Sequence, residues 1–312
     1  MTKITGPFVI LTVLLGFFAA VTLLQACQRE DGYKGIKPEE VIGQVELPGL
    51  KDSVEDSAGR LYEKASVRQT QKSGSVMKPI PNEINTKLPD FSKYKDVEKK
   101  KTAFFDFLRP IVRKANREVL EERAHVLLKW RQFRQGDELS DKEIEKLESL
   151  AGKYRVKTKY GEGLEFFRKM LIHIDKIPVS LALTQAAKES AWGTSYFARK
   201  GNNLFGQWCF EKGCGLVPRR RPQGASYEVR AFDDVSESVR AYIRNLNSHP
   251  AYKELRIQRY RMRLAGKEPD PHLMAGGLEQ YSGIGMKYVA TVRQMIRGNK
   301  KFMGIHEPAA DI

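Results

Sequence analysis

Hydrophobic and polar positions divide the chain into three regimes. Phe8 to Leu24 is an unbroken run of apolar and small residues, interrupted only by Thr12 and Thr22. From Gln28 to about residue 100 the sequence is polar and charged, with scattered Gly and Pro and few large apolar side chains, the composition of a tether. From Lys101 apolar residues recur every three or four positions: Phe104, Phe107, Leu108, Ile111, Ala115, Val119, Val126, Leu127, Trp130 and Phe133. That period predicts a helix, with Pro110 marking a kink or restart. Gly136 and Asp137 form a turn. Ser140 and Glu143 make a capping box for a second helix, with Leu139 and Ile144 as its staple and Gly152 as its stop. A third helix runs from Gly163 to Ile174, burying Leu164, Phe167, Leu171 and Ile174. Pro178 then opens a fourth, which Gly193 closes.

Beyond it, Tyr227 to Phe232 alternates as a short strand does. Asp233 or Asp234 precedes a helix from Val235 to Leu246. A basic helix carries Arg256, Arg259, Arg261 and Arg263, and a last helical pair spans Leu273 to Ile296. The pattern predicts a mainly helical α+β fold with a small β-hairpin. Its divisions are an export segment at 1–27, a tether at 28–100, a helical extension at 101–151, a catalytic domain at 152–303 and a tail at 304–312.

The formal net charge of +16 in 312 residues calls for an anionic partner. The N-terminus narrows the choice. Lys3 followed by the apolar run reads as an export signal or membrane anchor, and Leu24–Gln25–Ala26–Cys27 resembles a bacterial lipoprotein signal with Cys27 as the lipidated residue. Every version of this reading places the body in the cell envelope, outside the cytoplasm. Cell-wall polymer then fits the charge better than nucleic acid, and the membrane is a partner through the N-terminal segment. Cys209 and Cys214 enclose a loop short enough to close as a disulfide in such a compartment. A zinc site would need about four ligands, and no second cysteine pair exists. The five histidines are dispersed, so no metal and no cofactor are expected.

Glu189 falls in the last turn of the fourth helix. Helix C-termini disfavour anions, and the neighbouring Ala186, Ala187 and Trp192 add desolvation. Both raise a carboxyl pKa, the condition for a general acid near neutral pH. The plainer reading is a solvated helix-end residue. The flanking sequence, Gln185–Ala186–Ala187–Lys188–Glu189–Ser190–Ala191–Trp192–Gly193–Thr194–Ser195 and then Gly201–Asn202–Asn203–Leu204–Phe205–Gly206, resembles bacterial peptidoglycan endo-β-N-acetylglucosaminidases of glycoside hydrolase family 73. Phe104–Pro110, Cys209–Pro218 and Ser248–Arg256 resemble its bax-type subgroup. Leu278, Tyr281, Tyr288 and Val289 resemble its C-terminal stretch. The resemblance implies a lysozyme-like fold and a catalytic acid at Glu189. Lys188 and Ala191 depart from the family pattern beside that acid without removing it.

Glycoside hydrolysis also needs a group to meet positive charge at the anomeric carbon. Glu228 is the nearest second carboxylate, with an ion pair to an arginine as its plainer role. The 2-acetamido group of the substrate is the alternative, with Tyr281 and Tyr288 as residues to orient it or to line the site. Trp192, Asn202, Asn203, Phe205, Trp208, Arg219 and Arg220 are candidate substrate contacts; core packing, turn formation and solvation are their competing roles. The expected protein is a monomeric peptidoglycan hydrolase. A lytic transglycosylase, an amidase and a non-catalytic wall-binding lipoprotein are the rival readings.

Overall fold

The computed structural model describes residues 84–304. The export segment, Cys27, most of the expected tether and the tail beyond Gly304 lie outside the described residues. The order of elements is α1 (Val97–Gln135), α2 (Asp141–Lys153), α3 (Leu164–His173), α4 (Val179–Glu189), α5 (Tyr196–Gly201), β1 (Trp208–Cys209), β2 (Gly215–Leu216), β3 (Glu228–Arg230), α6 (Val235–Ser248), α7 (Lys253–Leu264), α8 (Pro271–Met274) and α9 (Met286–Met303). This is the mainly helical, lysozyme-like α+β arrangement that the pattern predicts.

The long helix α1 starts where the Asp96 side chain accepts a hydrogen bond from the Lys99 N–H at 3.0 Å. It ends at Gly136, whose φ of 84° allows its N–H to turn back to the carbonyls of Gln132 and Phe133. The helix runs through Pro110 without the expected restart. Proline removes one ladder bond there, but Leu108, Ile111 and Val112 beside it are all buried and hold the axis in the core.

One apolar cluster joins segments from both sides of two expected boundaries. Phe104, Phe105, Leu108, Ile111 and Val126 of α1 share one apolar cluster with Leu181, Ala186, Tyr242, Leu278 and Val292. Helix α1, which makes up most of the expected extension at 101–151, packs directly on α3, α4, α6 and α9. The end of the expected tether is ordered too. Phe91 is buried in that cluster, and the Thr86 carbonyl accepts from the Val235 N–H at the start of α6. In α3, Leu164 is exposed, and Phe166 and Met170 join Phe167 and Leu171 in the core.

The segment leading into α4 is fixed by an arginine knot. Arg259 is fully buried and donates to the main-chain carbonyls of Ile172, His173, Asp175 and Lys176 and to the Asn247 side chain. Arg263 forks onto the buried Asp175 carboxylate at 2.9 and 3.1 Å. Arg123 of α1 donates to the carbonyls of Leu171 and Ile174. Asn116 clamps Ile177 through both its N–H and its C=O. The orphan carbonyls at the end of α3 thus receive charged donors. These arginines hold the Asp175 carboxyl well below the usual carboxylate range, against the opposing effect of its burial.

Candidate active site

Helix α4 starts at Val179, immediately after Pro178, and ends at Glu189 itself. It is buried from Ser180 to Ala187, because small Ala182, Ala186 and Ala187 let neighbouring helices approach. The chain leaves it through an unusual turn: Ala191, Trp192 and Gly193 have φ values of 49°, 59° and 76°. Left-handed backbone costs a non-glycine residue about 1–2 kcal/mol. Local bonds hold it in place. The Ser190 hydroxyl donates to the Ala186 carbonyl and accepts from the Gly193 N–H, and the Trp192 N–H reaches the Ala187 carbonyl. The Trp192 ring meets the edges of Phe104 and Phe105 at 5.7 and 5.2 Å. Gly193 is required not only for its φ. A Cβ there would lie 2.7 Å from Cδ2 of Phe91.

Glu189 is half-buried, and that burial raises its pKa above the ordinary carboxyl value. A hydrogen bond from Tyr288 and the charge of Lys188 oppose the rise without cancelling it. The Tyr288 hydroxyl lies 2.9 Å from Oε1 of Glu189 and 3.0 Å from Nε2 of Gln185. Oε1 of Gln185 in turn accepts from Tyr242 at 2.6 Å. Tyr281 stacks on Tyr288 with 5.3 Å between centroids, and donates to the Phe205 carbonyl at 2.9 Å. Lys188 places its ammonium 5.3 Å from the Tyr288 ring centre. The tyrosine hydroxyls of this wall are all pushed above their usual pKa, chiefly by burial, with the Glu189 charge contributing at Tyr242, Tyr252, Tyr281 and Tyr288.

The structure thus brings Glu189, Tyr281 and Tyr288 together, and places the other expected residues in different surroundings. Glu228 is buried in β3, where its two oxygens accept from the N–H groups of Gly213 at 3.1 Å and Gly215 at 2.8 Å. Those bonds hold its carboxyl below the ordinary range. It staples the loop closed by the Cys209–Cys214 disulfide and is not presented as a second catalytic carboxylate. The expected hairpin is a three-stranded antiparallel sheet in the order β1-β3-β2, with Trp208 opposite Val229.

Asn202 adopts φ 50° as the cap of α5 and donates to the carbonyls of Phe232 and Asp233. Asn203 is buried, donates to the carbonyls of Gln207 and Arg230, and accepts from the N–H groups of Phe205 and Gln207. Both asparagines hold the loop after α5 through main-chain partners. Phe205 is core, stacked on Tyr242 at 3.9 Å. Trp192 is largely packed. Trp208 is 44% exposed, with one face on Tyr227 at 4.6 Å, and its other face remains a candidate sugar platform. Arg219 and Arg220 are exposed. Among the described residues, no hydrogen bond, ion pair or ring contact joins Trp208, Arg219, Arg220 or Glu228 to Glu189. A cavity of about 250 Å³ between α1 and α6, lined by Glu118, Glu122, Arg240 and Arg244 among others, contains none of the expected site residues.

Sequence reasoning missed Gln185 and Tyr242. Gln185 stands one helical turn before Glu189, so the i, i+4 spacing already placed both on one face. Tyr242 gave no signal beyond its apolar register in α6.

Among the described residues, no helix is long and apolar enough to cross a membrane. A family model described as mannosyl-glycoprotein endo-beta-N-acetylglucosaminidase matches residues 165–301. Protein bax of Escherichia coli (strain K12) is 33% identical over 222 residues, which cover 71% of this chain and 78% of that protein. No solved structure matches the chain significantly.

Proposed function

The chain belongs to the glucosaminidase family, bax-type, and from that premise we propose that it is a peptidoglycan hydrolase that cuts the glycan strand at N-acetylglucosamine with Glu189 as its general acid. The observation that carries this reading is the Glu189 carboxyl: half-buried at the end of α4, with a raised pKa and a tyrosine hydroxyl on one oxygen. A carboxyl held protonated toward neutral pH can deliver a proton to a glycosidic oxygen.

With Glu228 occupied by Gly213 and Gly215, the partner in this mechanism is the substrate. The 2-acetamido oxygen attacks the anomeric carbon as Glu189 protonates the leaving oxygen, and the C–O bond breaks. The resulting cyclic oxazolinium ion is opened by water, which gives up a proton to the Glu189 carboxylate and restores the acid. Burial serves the first half of the cycle, and the Tyr288 hydrogen bond stabilises the carboxylate in the second. Trp208, with one exposed face, is proposed to stack on a sugar ring. Export to the cell envelope, with Cys27 lipidated or the N-terminal segment kept as an anchor, completes the proposal. The Cys209–Cys214 disulfide suits that oxidising compartment.

Purified peptidoglycan digested by wild type and by Glu189→Gln, with mass spectrometry of the products, tests this reading. Reducing N-acetylglucosamine ends from wild type alone are expected. Anhydromuramic ends would instead establish a transglycosylase, and equal binding with no released sugar from either protein would establish a wall-binding module.

A further inference from the structure

Tyr242, Gln185 and Tyr288 form a buried line ending at the acid. The three residues are 0–1% exposed, so water does not compete for their polar atoms. A tyrosine hydroxyl has one proton to donate, and an ionised carboxylate only accepts. Tyr288 must therefore be the donor to Oε1 of Glu189 whenever that group is ionised. The hydroxyl oxygen is then left to accept, and Nε2 of Gln185 donates to it at 3.0 Å. The same amide turns its oxygen to Tyr242, which donates at 2.6 Å. Every bond in the line points the same way, from Tyr242 through Gln185 and Tyr288 to Glu189.

We propose that Gln185 is a positioning residue for the reaction: by donating to Tyr288 it directs that hydroxyl's only proton onto Oε1 of Glu189, and so reserves Oε2 for the proton that reaches the glycosidic oxygen. The proposal rests on Glu189 being the acid. Without the Gln185 donor, the Tyr288 oxygen becomes a free acceptor within hydrogen-bond distance of Oε1. The acid's own proton is then drawn onto Oε1 and toward Tyr288, a form that cannot protonate substrate. The ionised form meanwhile loses a donor polarised by its neighbour. Both effects favour the protonated carboxyl in an unproductive arrangement. The other groups whose charge or hydroxyl bears on Glu189 are Lys188 on its own helix and Tyr252 and Tyr281 on the turns beside it. None of these lies in the line of hydrogen bonds.

The test uses the full chain on soluble peptidoglycan glycan fragments, measuring kcat and KM across pH for wild type, Gln185→Met and Tyr242→Phe. Methionine keeps the volume and helix propensity of glutamine but offers no amide. Gln185→Met is expected to lower kcat about five- to tenfold, the effect of about one hydrogen bond on a rate, with KM within about twofold. The alkaline limb of the kcat profile should move up by about half a pH unit or more. Tyr242→Phe leaves Gln185 in place without its anchor and should move the limb in the same direction by less. A residue that only packs would change the melting temperature and leave the limb where it was. An unmoved limb in a folded Gln185→Met protein overturns the proposal. If that variant does not fold, an unmoved limb in Tyr242→Phe overturns it instead. The underlying reading fails separately, through turnover that survives in Glu189→Gln.

Discussion

Replacing Gly193 by alanine tests whether the turn behind the acid is held by the aromatic wall of α1 and the segment before it. The added Cβ would stand 2.7 Å from Cδ2 and 3.2 Å from Cε2 of Phe91, and 3.3 Å from Cε2 of Phe104. The backbone must also keep φ at 76°. The left-handed conformation costs alanine about 1–2 kcal/mol, and forcing a methyl into a packed core costs about 1–3 kcal/mol more. The sum, about 2–5 kcal/mol, is a large part of a typical stability of about 5–15 kcal/mol. For a domain of this size it lowers the melting temperature by about 4–20 °C. Phe91→Ala alone should cost about 3–5 kcal/mol through the cavity it leaves. In the double variant the contact with Phe91, the larger part of the steric cost, disappears, so the two losses should fall short of additivity by about 1–3 kcal/mol. Thermal unfolding followed by circular dichroism on all four proteins measures this cycle. A Gly193→Ala protein melting within about 1 °C of wild type, or strict additivity in the double variant, would refute the account of the turn.

Other substitutions separate catalysis from scaffolding. Glu189→Gln should cut turnover about 10²–10⁴-fold in the product assay, the usual contribution of a general acid. Because burial raises the Glu189 pKa, wild-type activity should be full below that raised value and fall as pH climbs through it. By the same linkage, the fold favours the protonated carboxyl, so Glu189→Gln should melt higher than wild type at pH 7, with the difference closing below the ordinary carboxylate range. Glu228→Gln should leave kcat within about twofold and lower the melting temperature. Its carboxyl pKa is depressed by two main-chain donors, so that loss should be seen above the ordinary carboxylate range and vanish in acid. Asp175→Asn removes the anion from among buried arginines and should cost about 3–5 kcal/mol in denaturant titrations. In wild type the same contribution should persist to pH values well below the usual carboxylate range before it is lost.

The helices were legible because apolar spacing reports which face of a segment is buried. Ser140 and Glu143 give the same kind of local evidence, since Glu143 does reach back to the Ser140 N–H at 2.9 Å. Glu189 was legible through its place in a long motif and through the helix end that the following Gly193 implied. The features that sequence left open share a cause. Asn202, Asn203 and Glu228 are polar residues whose partners are main-chain groups, and sequence does not reveal where those groups fall. Phe91 is a single apolar residue in a polar stretch, too isolated to register as periodicity. The arginine knot is hidden because Arg123, Asp175 and Arg259 are far apart in sequence, and each alone reads as surface charge.

The region matched by the family model begins at residue 165, yet much of what shapes the acid's surroundings lies upstream of it. Phe91, Phe104 and Phe105 back the turn after Glu189, and Asn116 and Arg123 fix the approach to its helix. The signature segment therefore packs against elements that lie outside the family-model region. The 222-residue match to the bax protein is too long to fit downstream of residue 165 and has to take in the long first helix. The likeness between the two proteins thus reaches beyond the family-model region and takes in the helix on which the Glu189 segment is seated.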